Sequence, residues 1–140
     1  MKIGIGNDHV GFDYKDIIRS HLEARGHTII DYGAHSRTPA DYPIFANKVG
    51  RAVVAEEIDV GILICGTGTG MSIAANKIRG IRCAACSEPY SARLAKQHNN
   101  ANILAFGSRV IGTEVAKMMV DEWLGATFEP RHQRRLDMVE

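Results

Sequence analysis

No stretch of this 140-residue chain approaches the roughly 18 consecutive apolar residues of a membrane-spanning helix, so none is expected. Charge of one sign is not in excess either. Lys and Arg number 17 against 16 Asp and Glu, a formal net charge of +1, which argues against a nucleic-acid binder or a polybasic membrane binder. Cysteine is scarce: three, an odd number, suit reduced thiols better than a disulfide framework. The opening residues run directly into Asp8 and His9 and do not read as a signal peptide, so the expectation is a cytoplasmic protein. Internal repeats and linkers are also missing. The length fits one domain, able to bury about two thirds of its unfolded surface without disulfide or metal support.

What is present is a rhythm of short apolar runs and amphipathic stretches, punctuated by glycine or polar clusters. Residues 2–6 read as a first strand. Residues 13–25 follow as a helix with Tyr14, Ile18 and Leu22 on one side and Gly26 as a left-handed stop. Residues 28–32 make a second strand, and Asp41 can cap a helix that carries Pro43 in its first turn. Residues 60–65 form a continuous apolar run, typical of a strand covered on both faces. After a glycine-rich turn come a helix at 71–77, a strand at 81–85, a helix from Pro89 to a cap at Asn100, a strand at 101–106 and a helix through Met119 and Trp123. Pro130 can open a short terminal helix with Arg131 and Arg135 one turn apart. The expected architecture is a three-layer α/β/α sandwich on a five-stranded parallel sheet. The flavodoxin-like order 2-1-3-4-5 is expected, with ligands outside the carboxyl ends of the strands.

The loops after the strands should therefore share one rim. The third is the most informative: Cys65 and Gly66 through Gly70 place three alternating glycines between a buried strand and a helix, so that successive backbone N–H groups can converge on an anion. It is not a Walker A loop, because no Lys-Ser or Lys-Thr follows, and Met71 stands where a dinucleotide fingerprint needs glycine or alanine. Met71 also occupies the position of the arginine in cysteine-based phosphatase loops. Cys65 then has two readings: a small hydrophobe ending a core strand, or a thiolate base steadied by the cradle. Cys83 and Cys86, three apart along a strand, point to opposite faces and read as core thiols, not as a redox or zinc pair. His9 and His98 are either structural or a proton-transfer pair at the rim. Arg109, Arg131 and Arg135 are either a solvated basic surface or a clamp for a phosphate dianion. A base, an oxyanion cradle, a histidine and phosphate-binding arginines together suit proton abstraction beside a carbonyl, as in aldose–ketose isomerisation, with no cofactor or metal required.

The ordered set Asn7-Asp8-His9-Val10-Gly11, Asp41-Tyr42-Pro43, Ile64 through Gly70, Ser87 through Ala92, His98-Asn99-Asn100, Phe106 through Arg109 and Arg131 through Arg135 closely resembles the ribose-5-phosphate isomerase B family. That family also includes galactose-6-phosphate isomerase subunits and allose-6-phosphate isomerases. The resemblance covers nearly the whole chain. It implies ribose 5-phosphate and ribulose 5-phosphate as substrate and product, in the non-oxidative pentose phosphate pathway, with Cys65 as base, His98 as the residue that helps open the sugar ring, and Thr67 as its assistant. By the same resemblance Gly66, Thr67, Gly68, Thr69 and Gly70 hold the enediolate, Asp8 and Asn99 contact sugar hydroxyls, and His9, Arg109, Arg131 and Arg135 face the phosphate. It further implies a homodimer or a pair of dimers with the active site at a subunit boundary. The chain would then be a single domain, 1–140, whose last part, 126–140, is an arm reaching a partner.

Overall fold

The alternation of apolar runs and amphipathic stretches folds into alternating strands and helices. The structure, a computed structural model, describes residues 1–139; Glu140, the last residue of the expected arm, lies outside them. In chain order the elements are β1 (Lys2–Asn7), α1 (Phe12–Glu23), β2 (Thr28–Asp31), α2 (Tyr42–Val54), β3 (Val60–Cys65) and α3 (Thr69–Asn76). Then follow β4 (Cys83–Ala85), α4 (Pro89–Asn99), β5 (Ile103–Gly107), α5 (Thr113–Gly125), a single 3-10 turn (Pro130–His132) and α6 (Gln133–Leu136). All strand pairs are parallel.

Period-two alternation sorts the sheet's side chains into two cores. Ile3, Ile5, Val60, Ile62, Ile64, Leu104 and Phe106 meet Ile18 and Leu22 of α1, Ala92 of α4 and Met119, Val120 and Trp123 of α5. On the other face Leu63, Cys65, Ile103 and Ala105 meet Phe45, Ala46 and Val49 of α2 and Met71 and Ala75 of α3. Full burial of each large aliphatic side chain contributes roughly 1.5–3 kcal/mol. A helix moved to the wrong face would forfeit several such terms. The result is the expected three layers.

The strand order is 2-1-3-5-4, which corrects the expected 2-1-3-4-5. Ile103 of β5 lies opposite Gly61 of β3 on one side and Cys83 of β4 on the other. The physical reason is burial. All five residues of β5 are buried, whereas β4 has three residues, none of them fully buried. A short, partly wet strand with Arg82 before it ends a sheet, and a continuous apolar strand sits inside it. The reversal point between β1 and β3 is unaffected. Smaller differences lie at helix ends. Thr69 begins α3 two residues earlier than expected, because Gly68 turns the chain in the left-handed region (φ 84°). Asp41 stands at the start of α2, but its side chain makes no capping bond. Among the described residues no helix is long and apolar enough to cross a membrane.

Candidate active site

The carboxyl ends of β1, β3 and β5 are tied into one rim. The Ser108 backbone N–H donates to Cys65 O at 2.9 Å, and the Ser108 hydroxyl donates to Val10 O at 2.9 Å. Asp8 is buried, and its Oδ1 accepts from the N–H groups of Val10 and Gly11 at 2.9 and 3.0 Å, fixing the first loop. His9 Nδ1 accepts from the Ala40 N–H at 3.1 Å, which leaves Nε2 as the proton-bearing nitrogen of the neutral ring. Cys65 is 5% exposed, and its sulfur accepts from the Gly68 N–H at 3.1 Å. That approach requires glycine. A Cβ on Gly68 would stand 2.8 Å from Phe106 Cα, and one on Gly107 2.4 Å from Gly66 O.

Within the expected cradle the donors divide. Gly68 N–H serves the sulfur, and Thr69 N–H donates to the exposed Thr67 hydroxyl at 3.2 Å. The next first-turn donors of α3, at Gly70 and Met71, have no intrahelical acceptor by helix geometry and carry the positive end of the helix dipole. The Met71 N–H thus stands beside the glycine turn with no acceptor within its helix. Arg109 lies alongside Gly66: its N–H donates to Gly66 O at 3.1 Å, and a Cβ on Gly66 would touch its side chain at 3.6 Å. Tyr42 walls the cradle, with its ring against Gly70. The motif Asp41-Tyr42-Pro43 was the only sequence signal for it.

His98, Asn99, Arg131 and Arg135 gather elsewhere, around a cleft of about 500 Å³. The expectation that His98 shares the rim with His9 is corrected, within one chain, by the course of α4, and Arg131 and Arg135 lie with His98, apart from Arg109. This helix begins at the carboxyl end of β4 and runs back along the sheet for 11 residues, about 16 Å, so its last turn lies at the opposite edge from Cys65. The terminal segment folds onto that turn. Glu129 N–H donates to Gln97 O at 2.8 Å, and the ring of His132 lies 4.4 Å from that of His98. Arg131 donates to Glu129 Oε2 from Nη2 at 2.8 Å and from Nε at 3.1 Å. Arg135 Nη1 lies 3.1 Å from His132 Nδ1. Arg131 holds the Glu129 carboxyl below its usual range, and burial, aided by the nearby cations, lowers His132. Glu129 and His132 were not singled out as site residues from the sequence. Asn99, Arg131 and Arg135 are exposed, and His98 is partly so.

The molecule is a doubly wound α/β domain with a thiol beside a glycine-rich turn at the carboxyl end of its central strand and a separate histidine–arginine cluster. The chain belongs to the ribose/galactose isomerase family, which it matches over residues 3–139. It is 58% identical to ribose-5-phosphate isomerase B of Escherichia coli over 139 residues, covering 99% of this chain and 93% of that protein. A D-erythrulose-4-phosphate isomerase of Pectobacterium atrosepticum is 43% identical over 131 residues, 92% of this chain and 86% of its own. The solved structure of ribose-5-phosphate isomerase B from Clostridium thermocellum superposes with a TM-score of 0.97 at 51% identity, covering 99% of this chain and 95% of that one.

Proposed function

We propose that the chain interconverts D-ribose 5-phosphate and D-ribulose 5-phosphate as an aldose–ketose isomerase of the non-oxidative pentose phosphate pathway. The observation that carries this reading is Cys65: a thiol at the carboxyl end of the central strand, bonded by the Gly68 N–H and facing the open first turn of α3. Its weight comes from the 58% identity to an enzyme named for that substrate. Cys65 takes the C2 proton, and electrons move into the C1 carbonyl as a cis-enediolate forms. The same thiol returns the proton to C1, while the O2 hydroxyl passes its proton to the O1 oxyanion by way of Thr67 and O2 becomes the ketone. The N–H groups at Gly70 and Met71 meet the oxygen on which charge develops. Thr67 assists proton movement, Asp8 and Asn99 hold hydroxyls, and His9, Arg109, Arg131 and Arg135 receive the phosphate. The proton bookkeeping closes on the substrate itself and calls for no cofactor.

His98 opens the furanose ring by protonating its oxygen, and it can reach the substrate only from a second copy. A two-fold axis across the open edge at β4 would do this, because it sets the last turn of α4 in one chain against the carboxyl end of β3 in the other. A groove of about 580 Å³ beside that edge shares Asn99 and Leu136 with the His98 cleft, which supports this placement. Free thiols and a phosphosugar substrate fit the cytoplasm.

The test is an assay of purified protein with ribose 5-phosphate in the presence of a chelator. Turnover is expected, and Cys65→Ala is expected to abolish it with the melting temperature nearly unchanged; an active Cys65→Ala protein removes the assignment of the base. Comparing kcat/KM across four-, five- and six-carbon aldose phosphates ranks the substrates.

A further inference from the structure

Glu129 has more partners than a surface carboxylate needs. Its backbone N–H is bonded to Gln97, which places it beside the last turn of α4. Its Oε2 receives Arg131, lies 3.8 Å from His98 Nε2 and lies 3.5 Å from His132 Nε2. His132 is 8% exposed, and its Nε2 is buried without a hydrogen-bond partner. Because Arg135 can only donate, the neutral ring of His132 carries its proton on Nε2, 3.5 Å from that same carboxylate oxygen but without a hydrogen bond to it.

The donor atoms of His98, Glu129 and His132 lie within 4.8 Å of one another. Metal chemistry suits them poorly. Arg131 already occupies the carboxylate, Arg135 engages the second nitrogen of His132, and both bring positive charge to the place a cation would take. An anion is what this corner is built to receive. A phosphate would compete with Glu129 for Arg131, which is exposed. Once Arg131 leaves, the carboxylate is left with the two imidazoles.

We propose that Glu129 is a positioning residue that couples phosphate capture to ring opening: it holds Arg131 until a substrate phosphate takes it, and then holds the His98 imidazole in register for the ring oxygen. This rests on the roles proposed above for His98 and Arg131. Glu129, its backbone held by the Gln97 bond and its carboxylate faced by the buried His132, forms the fixed part of the device. Arg131 is its moving part.

The experiment compares Glu129→Gln, His98→Asn and Arg131→Ala in the full-length enzyme with two readouts. One is steady-state isomerisation of ribose 5-phosphate. The other is exchange of solvent deuterium into ribulose 5-phosphate, which is acyclic because its O5 is esterified and so needs no ring opening. Glu129→Gln is expected to lower kcat for ribose 5-phosphate about tenfold, with KM unchanged or lower and exchange within about twofold of wild type. Arg131→Ala is expected to raise KM instead. A Glu129→Gln protein with wild-type kcat, with a raised KM alone, or with exchange lost in parallel overturns the proposal. Wild-type turnover by His98→Asn would instead remove the ring-opening role itself, whatever Glu129 does.

Discussion

Three cysteines in one chain meet two different fates, and the difference lies in what each sulfur faces. Cys65 is as buried as a core residue but receives a backbone N–H and opens toward the rim. Cys83 is pushed up to about 12 and Cys86 to about 11, both chiefly by burial, so they behave as small apolar groups. The sign of the consequence follows from linkage. In the unfolded chain these thiols ionise near 8.5, so the folded protein binds more protons above that pH. Their contribution is complete below the unfolded value and falls as pH rises toward 11 to 12. Urea titrations near pH 7 and near pH 10.5 should show the wild type losing up to about 1.4 kcal/mol per pH unit for Cys83, and less for the more solvent-screened Cys86, relative to a Cys83→Ala, Cys86→Ala protein. Equal losses in the two proteins would mean that these thiols ionise freely in the fold. The sequence made this contrast readable, since only Cys65 stands next to a glycine cradle. It could not reveal that the Met71 N–H stands open in the first turn of α3, because an N–H carries no residue signature.

Strands and helices were read from the sequence nearly in full, because each has an apolar face of the right period. The order of the last two strands was not, since adjacency depends on which strand is long and dry enough to lie inside. That comparison was available in the apolar run of β5 against the three residues of β4. The turn at Gly68 is the element on which the site depends most. Alanine there would adopt a left-handed backbone, at a cost of about 1–2 kcal/mol, and would also press on the Phe106 backbone. Gly68→Ala is therefore expected to lose more than about 2 kcal/mol of stability and most of its turnover. Gly112→Ala, where nothing lies within 4 Å, should change stability by less than about 0.5 kcal/mol in the same denaturation series. Similar losses in both would detach the cradle from its glycine.

One chain carries every residue of the proposed chemistry, yet places them at two ends of a sheet. The sequence held the residues of both ends but not their separation, because a motif has no position until the direction of α4 is known. If each site draws on two copies, Cys65→Ala and His98→Asn proteins, each inactive alone, should recover about a quarter of wild-type activity per chain when co-expressed, since about half the dimers are mixed and each has one intact site. No recovery in verified mixed dimers would confine the site to one chain. The antiparallel course of α4 also bears on how the protein responds to its own abundance. If each site draws on two copies, a lone copy is catalytically silent, so at high dilution the initial rate should rise with the square of protein concentration and become linear only once pairing is complete.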